Sequence, residues 1–256
     1  MSENVREQIE YGGNKVPIFR ENIAEVYIAL QPPDAIPYVV APRAMEPDKI
    51  VKFFADRVQK VEYLREKMLK RFSKSQSERC SFQTGDIAYV MGRPFMLEVN
   101  PLGRSKGVKG GARGRANVQY AIDTEVSLMS LYVMKTGDYD QCKSAFLIYG
   151  RAICTKNATA MAKGFLQRIA PDANVPVVRM RAMRDSFAKM EAGALWLSED
   201  IVPYPIDCLA YAVWQAIASA RSIDEQEERE MVQQVIPGWE RARELLVTKA
   251  KPYSNQ

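Results

Sequence analysis

Residues 211–219 of the chain, YAVWQAIAS, decide how its C-terminal half is interpreted. Apolar residues occur on almost every side of a helix drawn through this stretch, which predicts a buried helix over 206–220. One stripe of that helix is polar, because Gln215 and Ser219 lie one helical turn apart and share a face with Tyr211. The stripe is either a hydrogen-bonded seam in a packed helix or the lining of a site.

Composition limits the chemistry that such a site can support. The 256 residues include no histidine, which is the usual general base near neutral pH and the commonest protein ligand for metals. This absence excludes the Ser-His-Asp triad, the Cys-His pair and every histidine-ligated zinc site. The remaining options are carboxylate chemistry, lysine chemistry, magnesium held by carboxylates, or no catalysis.

The cysteines and the hydropathy pattern indicate the compartment. Cys80, Cys142, Cys154 and Cys208 are scattered and form no C-x-x-C pair, so we expect reduced and mostly buried thiols. No apolar run is long enough to cross a bilayer, and the N-terminal residues lack the apolar core of a signal peptide. We therefore expect a cytoplasmic protein without a membrane span.

The hydrophobic period alternates between strand-like and helical along the chain. Strand patterns lie at 16–41 (two or three short strands in a meander), 85–101 (a hairpin around Gly92-Arg93), 117–122, 126–134, 175–183 and 194–198. Helical patterns lie at 47–71, 138–170 with Asp138 as N-cap, 206–220 and about 225–236. This order predicts an α+β fold with a β-rich N-terminal lobe over 12–135 and a helix-rich C-terminal lobe over 136–250.

Five stretches, taken in order, resemble the YgjP-like metallopeptidases, a family with a small zincin-like fold of the gluzincin type. They are VAPRAMEPDKIVKFFADRV (40–58), GDIAYVMGRPFMLEV (85–99), RMRAMRDSFAKMEAGALWLSEDIVPYP (179–205), YAVWQAIAS (211–219) and VIPGWERARELL (235–246). The resemblance covers about residues 15–247 and implies that the two predicted lobes form one YgjP-like unit.

The resemblance also implies that the family's zinc site is lost here. The two zinc-binding histidines of the family helix fall on Gln215 and Ser219, and its catalytic glutamate falls on Ala216. The third histidine falls on Asp224 or Glu225, and the family's WGSC segment is replaced by residues 187–190, FAKM. An amide and a hydroxyl are poor zinc ligands. We therefore expect no catalytic residue, no metal and no cofactor, although the family itself uses zinc.

Two functions follow from this resemblance. The first is a pseudoenzyme, a zinc-free binding or scaffold protein that holds a protein or peptide in the former cleft. The alternative is a divergent metal-dependent hydrolase, either a peptidase or a nucleotide pyrophosphatase, that uses carboxylate ligands. The acids that begin the predicted helix at 225 favour a solvated helix start over a metal site, because they oppose the helix dipole favourably. Adjacent Glu199 and Asp200 favour a loop or cap role over paired acid-base catalysis, since neighbouring side chains point in different directions.

A third function depends on a glycine-rich basic segment, residues 101–115. The segment contains no acid and no aromatic residue, and its cations are Arg104, Lys106, Lys109, Arg113 and Arg115. A solvated hairpin loop accounts for this composition, and so does an arm that follows a polyanion. In the second case the chain is a nucleic-acid-associated protein whose affinity falls with salt.

Overall fold

The structure, a computed structural model, describes residues 7–11, 14–73, 80–102 and 118–248. These residues form eleven β-strands and six α-helices, which confirms the predicted α+β class. They fall into two compact units. The first contains residues 1–88 and 94–146, and the second contains residues 89–93 and 147–256. None of the described helices combines the length and apolar content that a bilayer crossing requires.

The first unit begins with a four-stranded sheet in the order β1-β2-β4-β3. Its strands are β1 (Glu7–Tyr11), β2 (Asn14–Glu21), β3 (Tyr27–Gln31) and β4 (Ile36–Pro42). β2 and β4 are parallel, and the other two pairs are antiparallel. Strands β2, β3 and β4 confirm the short strands predicted over 16–41, but the predicted meander is wrong, because β4 lies between β2 and β3 and is parallel to β2. β1 was not predicted, because Ile9 is its one buried residue and gives no alternating pattern.

Two helices follow, α1 (Pro47–Ala55) and α2 (Val58–Phe72), so the prediction of one helix over 47–71 is wrong. The interruption lies at Arg57, whose φ of −115° and ψ of 1° are not helical. Its guanidinium turns back to donate to the Phe53 carbonyl at 3.0 Å and to the Glu125 carboxylate at 2.6 Å. The apolar stripe continues across this interruption and is buried in the core of the unit, at Ile50, Phe54, Val61, Leu64 and Met68. The sequence pattern therefore gave no sign of the helix interruption at Arg57.

A second sheet, most of whose residues belong to the first unit, has the order β5-β6-β8-β7. Its strands are β5 (Ile87–Val90), β6 (Arg93–Pro101), β7 (Val118–Asp123) and β8 (Leu128–Val133). β5 and β6 confirm the predicted hairpin, although the turn residues are Met91 and Gly92 rather than Gly92 and Arg93. Both have positive φ, 53° and 77°, as a type I′ turn requires.

The second unit contains most of α3 (Tyr139–Ile169), which agrees with the helix predicted over 138–170. Asp138 is the predicted cap, since its carboxylate accepts the backbone N–H of Gln141 at 3.0 Å. Gly150 allows a close approach to Val202, because a Cβ at this position would lie 2.6 Å from a Val202 methyl carbon. The helix is thereby held against the segment that follows the next sheet.

That sheet has the order β10-β11-β9, with β9 (Val177–Arg181), β10 (Ala188–Glu191) and β11 (Ala194–Ser198). β11 is parallel to β9 and antiparallel to β10. β10 was not predicted, because it contains no fully buried residue. A 3₁₀ turn (Glu199–Ile201) then leads to three helices, α4 (Ile206–Ala220), α5 (Glu225–Val235) and α6 (Trp239–Thr248). The prediction of two closing helices is wrong, since α6 also packs against α4.

Burial agrees with the expected state of most of the thiols. Cys142, Cys154 and Cys208 are buried, and Cys80 is partly exposed. Burial raises the pKa of Cys80, Cys154 and Cys208 to about 12 each. These thiols are therefore protonated and weakly nucleophilic near neutral pH.

Candidate functional site

The candidate site is a cavity of about 490 Å³ in the second unit, beside α4. Ten of the fifteen residues of α4 are buried, so this helix is the central element of the unit. It packs against β10 on one side and α6 on another. The cavity is lined by Met183, Arg184, Asp185, Ser186, Phe187, Ala188, Ser198, Asp200, Tyr204, Tyr211, Ala212, Gln215, Leu246 and Val247.

Gln215 belongs to the polar stripe on α4 and lines the cavity. Its side-chain nitrogen Nε2 donates to the Tyr211 hydroxyl at 2.9 Å, so the two residues act as a hydrogen-bonded pair. Both line the cavity, and Gln215 is exposed whereas Tyr211 is 4% exposed. The amide of Gln215 retains its carbonyl oxygen as an acceptor for a ligand. The stripe is thus both a seam within the helix and a wall of the cavity.

The large aromatic residues near α4 leave the cavity open. Trp214 is fully buried and packs edge-to-face on Phe165, with ring centroids 5.3 Å apart, and it does not line the cavity. Its Nε1 has no hydrogen-bond partner within the described residues. Phe187 does line the cavity, where it packs on Tyr204 with centroids 5.2 Å apart. Phe187 and Tyr204 therefore form an apolar wall.

The segment after β11 places a carboxylate at the cavity. Ser198 is 1% exposed, and its hydroxyl caps the 3₁₀ turn by accepting the backbone N–H of Asp200 at 3.3 Å. Asp200 lines the cavity, whereas the neighbouring Glu199 forms an ion pair with Arg151. Glu199 is therefore engaged by Arg151 while Asp200 lines the cavity, so the two adjacent acids do not act as a pair. The capped turn fixes the backbone position of Asp200.

Tyr204 is a neutral hydrogen-bonding group in this wall. Burial raises the pKa of its hydroxyl above the ordinary value of 10.0, and the nearby ionisable groups of Cys208 and Asp200 raise it further. The phenol therefore stays protonated throughout the physiological range and does not act as a base there.

The residues at the expected zinc positions do not fit a zinc ion. Ala216 is buried and Ser219 is exposed, and of the three α4 positions Gln215 is the one that lines the cavity. Asp224 accepts the backbone N–H of Gln226 at 2.9 Å, and α5 begins at Glu225, whose side chain lies outside the described part of the chain. Among the side chains that the structure describes, no three His, Cys, Asp or Glu residues come together to hold a metal.

Several lining residues were not expected from the sequence. Arg184 and Asp185 lie in the segment before β10, Tyr204 precedes α4, and Leu246 and Val247 belong to α6. No local pattern marks them, because the packing of β10 and α6 against α4 brings them to the cavity. The loop cations Arg104, Lys106, Lys109, Arg113 and Arg115 lie outside the described residues, so their role stays a prediction.

No family model, no curated protein and no solved structure matches this chain. Its function is therefore inferred from the cavity, the fold class and the sequence resemblance.

Proposed function

We propose that this chain is a zinc-free binding protein that holds a peptide segment in the cavity beside α4. We propose further that it has the zincin-like fold and is a catalytically degenerate homologue of the YgjP-like metallopeptidases. One observation carries the proposal: Gln215, at the position of the first family histidine, opens onto a cavity of about 490 Å³ rather than onto packed side chains. A volume of this size is within the range of small-ligand sites.

The lining supports a peptide as the ligand. Asp185 and Asp200 are acceptors for N–H groups, Gln215 offers an amide oxygen, and Arg184 provides a cation. Phe187 and Tyr204 add an aromatic wall that suits an apolar side chain. β10 lies at the edge of its sheet, and no described strand pairs with its outer side. Its backbone groups are therefore available to an extended peptide.

The donor set argues against metal-dependent hydrolysis. A catalytic zinc site needs three protein ligands and an open position for water. Gln215, Ala216 and Ser219 offer an amide, a methyl group and a hydroxyl, and none of these replaces an imidazole. Asp185 and Asp200 are the two acids of the cavity, fewer than the three ligands that a divalent ion usually takes from the protein at a catalytic site. No catalytic step is therefore assigned to this site.

The proposal is tested by measuring, with saturation-transfer NMR, which members of a tetrapeptide library bind to the purified protein. We expect a subset of peptides to bind, and we expect Gln215→Leu to weaken their binding. Ser219→Ala is the matched control, since Ser219 is exposed on the same helix but does not line the cavity. Equal weakening by both substitutions, or no binding by any peptide, contradicts the proposal.

Metal analysis of the same protein tests the absence of catalysis. We expect substoichiometric zinc and no chelator-sensitive hydrolysis of peptides or nucleoside triphosphates. Stoichiometric metal together with hydrolysis that a chelator abolishes would replace this proposal with the divergent hydrolase.

A further inference from the structure

A second surface of interest is the side of the β10-β11-β9 sheet that is opposite its buried side. Val178, Leu195 and Leu197 are buried on one side of the sheet. Since side chains alternate along strands, the intervening residues lie on the other side. We call this other side the outer face and define it by Arg179, Arg181, Lys189, Glu191 and Trp196. The four charged residues are exposed, and Trp196 is partly exposed.

The register of the strands places Trp196 at the centre of the outer face. It pairs with Arg179 of β9 on one side and with Lys189 of β10 on the other. Directly opposed residues in a sheet have Cβ atoms about 5 Å apart, so the two cations flank the indole. The guanidinium carbon of Arg181 lies 4.4 Å from the indole centroid, and that of Arg179 lies 5.7 Å from it. The outer face therefore presents stacked planar groups within a ring of cations.

The charges on the outer face are only partly compensated. Arg181 forms an ion pair with Glu191, with an N–O distance of 2.6 Å. Arg179 and Lys189 form no ion pair with any residue in the described ranges. Glu191 is the one acid of the face, so two positive charges remain without a carboxylate. Such an excess favours a polyanionic partner.

We propose that the outer face binds single-stranded nucleic acid, with phosphates at Arg179 and Lys189 and a nucleobase stacked on the Arg181–Trp196 pair. Stacking on aromatic and guanidinium planes requires an unpaired base, which a duplex does not offer. An acidic protein satisfies the cations but makes no use of the central indole, so the aromatic group favours nucleic acid. This site is separate from the peptide cavity and does not depend on the function proposed for it.

Fluorescence anisotropy with a labelled oligo(dT) or oligo(U) of about 12 nucleotides tests the proposal, because single-strand sites span about 4–16 nucleotides. We expect Arg179→Gln/Lys189→Gln to weaken binding at least about tenfold at low salt. The matched control is Lys52→Gln/Lys70→Gln, which removes the same charge from exposed positions on α1 and α2. We expect the control to change the affinity less than about twofold, since neither lysine belongs to the outer face and solvent screens exposed charges that make no direct phosphate contact.

Salt titration then reports the number of phosphate contacts. Each neutralised phosphate of a single strand contributes about −0.7 to the slope of log K against log salt. We therefore expect the Arg179→Gln/Lys189→Gln protein to have a slope that is shallower by about 1.4 between about 50 and 200 mM salt. An unchanged slope overturns the assignment of phosphates to these two residues.

Two further variants test the stacking part of the proposal. Glu191→Gln removes the carboxylate that competes for Arg181, and we expect it to tighten binding by about threefold. Trp196→Leu removes the indole, and we expect binding about tenfold weaker. Tryptophan fluorescence of a Trp239→Phe chain gives a further readout, because Trp214 is fully buried and the remaining partly exposed indole, Trp196, should be quenched by the oligonucleotide. Circular dichroism melts verify that each variant is folded.

Replacing the five loop cations by glutamine separates this surface from the basic segment at 101–115. We expect that variant to retain the quenching of Trp196, and loss of the quenching would overturn the assignment to the outer face. Three other results overturn the proposal: no binding at low salt, equal effects of the outer-face and control variants, or a duplex or heparin that competes as well as the single strand.

Discussion

Helix α2 and the outer face of the β10-β11-β9 sheet are both rich in cations, but they use them differently. On and beside α2, four of the six cations are paired with acids of the same unit: Arg57 with Glu125, Lys60 with Asp123, Arg65 with Glu62, and Arg71 with Asp86. The other two, Lys67 and Lys70, form no ion pair within the described residues. On the outer face, one of three cations is paired. A basic sequence pattern therefore does not identify a binding surface, since the positions of the acids decide whether the charge is already used within the fold.

The pair at the end of α2 is the most deeply buried case. Asp86 is 3% exposed and accepts hydrogen bonds from Arg71 at 2.8 Å, from the Ser81 backbone at 2.8 Å and hydroxyl at 2.9 Å, and from the Gln83 backbone at 3.0 Å. The neighbouring Gly85 has a φ of 94°, and a Cβ there would lie 2.7 Å from the Arg71 Cβ. These contacts hold the segment 80–86 against the C-terminus of α2.

The largest effect is expected from Asp86→Ala. This change leaves the Arg71 side chain, 9% exposed, as a buried charge without its carboxylate. Removing one partner of a buried pair costs about 3–5 kcal/mol, so we expect the free energy of unfolding to fall by that amount in urea denaturation. The control is Glu62→Ala, whose pair with Arg65 is more exposed and should be worth less than about 1 kcal/mol. Similar losses for the two variants would show that burial does not determine how much each ion pair contributes to stability.

A smaller effect is expected at the Lys60–Asp123 pair. Partial burial tends to raise the pKa of Asp123, but the hydrogen bond and charge of Lys60 and the backbone N–H groups of Glu125 and Val126 outweigh it, so this pKa is lowered. A carboxylate with a lowered pKa in the folded state stabilises the protein above its unfolded pKa of about 3.9. This contribution is lost as the pH falls below that value and through the folded pKa.

Lys60→Gln measures this contribution. We expect the variant to lose less than about 1 kcal/mol at neutral pH, since both side chains are partly exposed, and to lose less stability than the wild type on acidification. Urea denaturation at neutral pH and at pH values below about 4 gives both quantities. Identical acid sensitivity in the two proteins would mean that Lys60 does not lower the pKa of Asp123.

The contrast between the two regions also shows what the sequence can predict. α3 was predictable because Asp138 caps it and Pro171 follows it, and α4 because apolar residues dominate its sequence. The interruption at Arg57 was not, since it depends on Glu125, which is distant in sequence. In the cavity, Gln215 was predictable from the polar stripe. Asp185 and Tyr204 were not, because the packing of β10 and α6 against α4 brings them to the cavity.

The smallest effect on stability is expected for the unpaired cations of the outer face. Arg179 and Lys189 have no acidic partner in the described part of the chain, so their removal breaks no ion pair. We expect Arg179→Gln/Lys189→Gln to change the free energy of unfolding by no more than about 0.5 kcal/mol, as for most exposed substitutions. Thermal or urea denaturation at low salt measures this value, with Arg181→Gln as the control that breaks the Arg181–Glu191 pair. A slight stabilisation by the double variant would agree with repulsion between neighbouring cations around Trp196. A loss above about 1 kcal/mol would instead show that these cations stabilise the fold, as the paired cations on and beside α2 do.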